Sequence, residues 1–81
     1  MSKAHIVENL MITDDELILK VDGKDLSLAL ATASPKLAAA SELERSTYKI
    51  SPAGYGIHWP LIDEDLSIDG LLLATEIAAQ P

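Results

Sequence analysis

Glu16-Leu17-Ile18-Leu19-Lys20-Val21-Asp22-Gly23-Lys24-Asp25-Leu26-Ser27-Leu28-Ala29-Leu30 decides the fold. Leu17, Leu19 and Val21 alternate with Glu16, Ile18 and Lys20, and beyond Asp22-Gly23 the residues Leu26, Leu28 and Leu30 alternate with Asp25, Ser27 and Ala29. A two-residue Asp-Gly loop between alternating runs calls for a type I′ hairpin, since both turn residues need positive φ. The register follows: Val21 faces Lys24, Lys20 faces Asp25, Leu19 faces Leu26 and Leu17 faces Leu28. One face stacks leucines, and the other carries a Lys20–Asp25 cross-strand pair worth roughly 0.2–1 kcal/mol.

Working outward, Ile6 to Thr13 alternates loosely, with Ile6, Leu10 and Ile12 on one face and Val7, Asn9, Met11 and Thr13 on the other. This reads as a first strand. Asp14-Asp15-Glu16 is the turn joining it to the hairpin, so the chain opens as a three-strand meander. Downstream, Ser34-Pro35 reads as an N-cap followed by a first-turn proline. Lys36 to Ala40 is rich in alanine, the best helix former. Ser41-x-x-Glu44 fits a capping box opening a second short helix. Leu37, Ala40 and Leu43 line one inward stripe.

Tyr48-Lys49-Ile50 is a short strand and Ser51-Pro52-Ala53-Gly54 a turn. In the strand Tyr55 to Trp59, Tyr55, Ile57 and Trp59 share one side and His58 takes the other, beside Trp59 or on a loop carbonyl. Pro60 ends the strand. Leu61 to Leu66 is an acidic loop. Ser67 caps a final helix from Ile68 to about Ala78, with Asp69 favoured in its first turn by the helix dipole. Ile68, Leu71, Leu72 and Thr75 point inward, Leu73 and Ile77 widen the stripe, and Gly70 marks a close backbone approach. The expectation is one α+β domain over residues 1–81. It has a small antiparallel sheet of about five strands, beginning with the meander, and two or three helices packed on it.

With 81 residues the chain holds one domain, and with no Cys it has neither a disulfide nor a thiolate metal site. Thirteen Asp+Glu against six Lys+Arg give a formal charge of −7. That opposes direct contact with nucleic acid, whose binding rests on cations neutralising phosphates, and with an anionic membrane surface. Met1 to Leu10 carries charged and polar residues in place of an apolar signal segment. No apolar run approaches the roughly 18 residues that span a bilayer. A cytoplasmic location is expected.

Three segments carry a resemblance. They are Asp22-Gly23-Lys24 leading through Leu26-Ser27-Leu28 to Leu30, then Pro35-Lys36-Leu37, and the long stretch Gly54-Tyr55-Gly56-Ile57-His58-Trp59-Pro60 continuing from Asp63-Glu64-Asp65 to Leu72. Together they resemble the bacterial and phage "domain of unknown function 2442" family. Thr32 and Ala33 stand where that family commonly has an aromatic residue. The resemblance implies a small α+β fold without established chemistry and a link to toxin–antitoxin-like gene pairs. It names no catalytic residue.

Constellations that do chemistry are sparse. His58 with Asp63 and Asp65 is the one set resembling metal ligands, and a metal site needs three or four converging donors. Asp63-Glu64-Asp65 lacks the plan of a calcium loop. Ser51 and Ser67 near His58 lack a nucleophile elbow. No catalytic residue, metal or cofactor is assigned. The remaining feature is the anions. Asp14, Asp15 and Glu16 at one turn, with Asp63, Glu64, Asp65 and Asp69 before and in the last helix, are the candidate partner-binding residues. The expectation is a non-enzymatic binding protein that sets an acidic, nucleic-acid-mimicking face on the basic surface of a nucleic-acid-binding protein. Such a chain would be an anti-defence inhibitor of the anti-CRISPR kind or an antitoxin-like neutraliser, monomeric or weakly dimeric. The alternatives are a dimerising DNA-associated regulator using the Tyr55/Ile57/Trp59 face and a small metal-assisted hydrolase.

Overall fold

The computed structural model describes residues 4–78. The chain runs β1 (Val7–Ile12), β2 (Glu16–Val21), β3 (Lys24–Ala29), α1 (Leu30–Ala33), α2 (Pro35–Ala38), α3 (Glu42–Ser46), β4 (Lys49–Ile50), β5 (Gly56–Trp59), β6 (Glu64–Ser67) and α4 (Ile68–Ala78). The fold is α+β. Its six strands form two antiparallel sheets, ordered β1-β2-β3 and β4-β5-β6, in place of one sheet of about five.

The hairpin forms in the expected register, with Leu17 opposite Leu28, Leu19 opposite Leu26 and Lys20 opposite Asp25. Asp22 (φ 52°) and Gly23 (φ 82°) both take the positive φ of a type I′ turn. Leu17, Leu19, Val21, Leu26 and Leu28 are buried on one face. The other face carries Glu16, whose Oε2 accepts from Ser27 Oγ at 2.7 Å.

β1 departs from simple alternation. Its register against β2 shifts between Glu8 and Met11, and Asn9 adopts φ 54°. A bulge adds one residue and reverses the facing beyond it. Val7, Leu10 and Ile12 therefore pack against the core, whereas Ile6 and Met11 are exposed. The expected face of Ile6 with Leu10 and Ile12 is corrected by that single residue.

Pro35 splits the helical stretch. Ser34, preceding it, is extended at φ −160° and ψ 105°, because the proline ring disfavours helical geometry one residue earlier. Two four-residue helices, α1 and α2, result. Ser34 caps α2 by accepting from the Leu37 N–H at 3.1 Å. The capping box of α3 is complete: Ser41 Oγ accepts from Glu44 N–H and Glu44 Oε1 from Ser41 N–H. Leu37 is buried, but Leu43 is 69% exposed and does not extend an inward stripe. With α4, the helical segments among the described residues number four.

The acidic segment before α4 is partly strand. Glu64–Ser67 pairs with β5, Ile57 facing Leu66 and His58 facing Asp65. With one apolar residue among four, β6 owes its conformation to pairing with its neighbour more than to its own pattern. α4 starts where expected, Ser67 Oγ accepting from the Gly70 N–H at 3.1 Å. It packs on β3, β5 and β6 and so joins the two sheets. Ile68 and Leu71 are buried, Leu72 and Thr75 half-buried and Leu73 exposed; the side chain of Ile77 lies outside the described residues. A Cβ on Gly70 would meet Ser67 Cβ at an ordinary 3.5 Å, so the close approach expected there is absent. It occurs at Gly54 instead, where φ is +68° and a Cβ would stand 2.0 Å from the His5 carbonyl oxygen. Leu30, Leu37, Ile57 and Trp59 complete the buried core.

Candidate functional site

The β1–β2 turn is held by Thr13, whose Oγ1 accepts from the N–H groups of Asp15 and Glu16 at 3.3 and 2.9 Å. Asp14, Asp15 and Glu16 are thereby directed into solvent. Asp14 remains 95% exposed although its Oδ1 accepts from Arg45 Nη1 at 2.9 Å. The other arms of Arg45 donate to the carbonyls of Leu37 and Ala38, both at 3.0 Å. One guanidinium thus ties α3 to the end of α2 and to the acidic turn, using its planar set of donors. Between β1 and α3 runs a groove of about 760 Å³, lined by Leu10, Ile12, Asp14, Glu42, Arg45 and Tyr48 among others.

Across α2 lies the second group of anions. Glu64 Oε2 accepts from the buried Ser34 Oγ at 2.6 Å, and the Asp63 carbonyl accepts from Lys36 Nζ at 3.1 Å. Asp65 Oδ1 meets His58 Nδ1 at 2.8 Å across the β5–β6 pair. His58 is 43% exposed, in keeping with an outward placement, and its partner is a carboxylate in place of a loop carbonyl. The described residues contain no group of three or more acidic or His side chains able to hold a metal ion.

Asp69 belongs elsewhere. Its Oδ1 lies 2.8 Å from His5 Nε2, and His5 Nδ1 lies 2.7 Å from Asp22 Oδ2. Asp22 is in the β2–β3 turn, at the opposite end of β2 from Asp14. Six residues of strand at about 3.3 Å each put roughly 20 Å between those ends. The fold therefore brings Asp14 to the last residues of α2 through Arg45, and Glu64 and Asp63 to its start through Ser34 and Lys36, while Asp15 and Glu16 follow Asp14 along the β1–β2 turn. Asp69 is carried to the far end of the first sheet.

A second groove, of about 700 Å³, opens on the β4-β5-β6 sheet, where Ile50, Pro52, Tyr55 and Leu66 surround Gly56 and Ser67. Tyr55 is 45% exposed and stands apart from buried Ile57 and Trp59, because β5 begins only at Gly56. Two residues with structural reach, His5 and Arg45, carry no motif. Their partners lie as far as 64 and 31 positions away, and no local pattern in the sequence marks them.

Two short sheets joined by one long helix, with carboxylates concentrated in turns, define a small acidic α+β domain. This chain belongs to the family described as protein of unknown function (DUF2442), whose model matches residues 7–75. No curated protein and no solved structure matches the chain.

Proposed function

We propose that this chain is a non-enzymatic binding protein that neutralises a partner by setting its acidic surface against a basic one. The partner of best fit is a nucleic-acid-binding protein, whose phosphate-holding lysines and arginines would accept carboxylates in the place of phosphates. An anti-defence inhibitor of the anti-CRISPR type and an antitoxin-like neutraliser are the two biological forms of this proposal, and the cytoplasm is the compartment it implies.

The observation that supports the reading is the exposed Asp14-Asp15-Glu16 turn at the rim of the groove between β1 and α3. Asp63 adds charge on the other side of α2, and Asp65 lies beside His58 at the groove on the β4-β5-β6 sheet. Asp14, Asp15, Glu16, Asp63 and Glu64 outnumber Lys36 and Arg45 on this surface, which gives it a negative balance.

The test replaces Asp15, Asp63 and Asp65 together by lysine and spares Glu64, whose reversal would disturb Ser34. Tagged wild-type and variant chains are used to capture proteins from host cells or from cells carrying candidate nucleases. Severalfold weaker, salt-sensitive capture by the variant, and competition by added duplex DNA for the same partner, are the expected results. Equal capture rejects this surface. A mobility shift of DNA by the wild-type chain alone would favour a DNA-associated regulator instead.

A further inference from the structure

His5 gathers three parts of the fold that are remote in sequence. Its ring bridges Asp22 of the β2–β3 turn and Asp69 in the first turn of α4. Its backbone N–H donates to the Ala53 carbonyl at 2.8 Å, and Gly54 packs against its carbonyl with no room for a side chain. The side chain is 6% exposed. Asp22 is fixed independently, its Oδ1 accepting from the Ile6 N–H and its own N–H donating to the Ile6 carbonyl, both at 2.9 Å.

An ionised carboxylate only accepts hydrogen bonds, and a neutral imidazole has a single N–H to donate. Both ring nitrogens stand within 2.8 Å of carboxylate oxygens. At neutral pH, where carboxylates are ionised, the observed geometry therefore requires a doubly protonated ring. We propose that His5 is a proton-operated clasp: as imidazolium it ties the β2–β3 turn to the start of α4, and when Nε2 loses its proton it releases Asp69.

The choice of nitrogen follows from the surroundings. Asp22 is pinned by Ile6, so the proton on Nδ1 keeps its acceptor, whereas the bare Nε2 lone pair would face the Asp69 carboxylate. Among the described residues, the charged groups facing the ring are Asp22 from the turn and Asp69 from α4. The loop before β5 meets the His5 backbone, through the Ala53 carbonyl and the Gly54 backbone, neither of which titrates. The hydrogen bonds to Asp22 and then to Asp69 raise the His5 pKa above its ordinary value, against a smaller opposing effect of burial. Release therefore falls on the alkaline side of ordinary histidine titration. Because α4 packs on β3, β5 and β6, loosening its first turn relaxes the junction between the two sheets.

The experiment is ring-nitrogen and amide NMR on the uniformly ¹⁵N-labelled chain between pH 5 and pH 9. Both His5 ring nitrogens are expected in the protonated shift range at the acidic end, converting to the Nδ1–H tautomer with a midpoint above 6.5. Protection factors of the Asp69 to Leu71 amides, corrected for intrinsic exchange, should fall severalfold with the same midpoint while those of Leu17 to Val21 hold. Asp69→Asn, which keeps the side-chain oxygen and removes its charge, should lower the His5 midpoint and remove the linked change in protection. A ring carrying one proton at pH 6, an Nε2–H tautomer at high pH, or α4 protection indifferent to the His5 titration would each overturn the clasp.

Discussion

Ser34 Oγ donates to Glu64 Oε2 at 2.6 Å while accepting from the Leu37 N–H at 3.1 Å. One buried hydroxyl thus caps α2 and anchors the first residue of β6. Loss of a serine cap typically costs about 1 kcal/mol, and removing the donor from Glu64 Oε2, while Oε1 keeps the Asp65 N–H, adds about another 1–3 kcal/mol. Ser34→Ala should lower the urea midpoint by an amount equivalent to about 2–4 kcal/mol. A shift no larger than that of an exposed alanine substitution such as Ser46→Ala would show that the bridge contributes nothing.

Two glycines with positive φ separate backbone strain from steric exclusion. Gly23→Ala meets no atom within 4 Å and bears only the cost of left-handed geometry, about 1–2 kcal/mol. Gly54→Ala bears the same strain and also drives a methyl group into the His5 carbonyl. The second substitution should destabilise clearly more than the first by thermal denaturation, and should shift the amide resonances of His5 and Ile6. Equal losses would contradict the packing described at Gly54.

Arg45 and Asp14 form an unequal pair. The Arg45 side chain is 13% exposed and its guanidinium holds two helix carbonyls, whereas the partner Asp14 is almost fully in solvent. Asp14→Asn should cost no more than about 1 kcal/mol, the range of exposed ion pairs. Arg45→Lys cannot reach three acceptors with one ammonium and should cost about 1–3 kcal/mol through the carbonyls left without a donor. Chemical denaturation of the two variants checks the asymmetry; a larger loss from Asp14→Asn would invert the account.

His5 also sets a pH dependence of stability. Its folded pKa lies above the unfolded value near 6.5, so the folded chain holds this proton more tightly. The stabilisation is complete below about pH 6.5 and is lost as pH rises through the raised folded value. The melting temperature of the wild-type chain should therefore drop more across the interval above pH 6.5 than that of Asp69→Asn. Parallel curves for the two proteins would remove His5 from the alkaline loss.

Much of this architecture is legible along the chain because it is written in local chemistry. The Asp22-Gly23 turn with its flanking leucines, the Ser34-Pro35 cap and the Ser41/Glu44 capping box each involve residues a few positions apart. Their backbone preferences act before any tertiary contact forms. β1 shows the limit of such reading. Its apolar residues were evident, but the bulge at Asn9 that sends Met11 outward depends on pairing with β2. β6 shows it again, as a strand stabilised by the neighbour it meets.

The candidate site divides in the same way. Net charge, the lack of thiols and the acidic turns are properties of composition and follow from the residues alone, as do the hairpin register and the family resemblance. Folding is needed to set Asp14 and Glu64 at α2, to bring Asp69 to Asp22 at the other end of the first sheet, and to let His5 and Arg45 bind across the chain. Side chains dozens of residues apart meet through the packing of whole elements. That packing is set by buried Leu17, Trp59 and Ile68 collectively, and no short stretch of sequence encodes it.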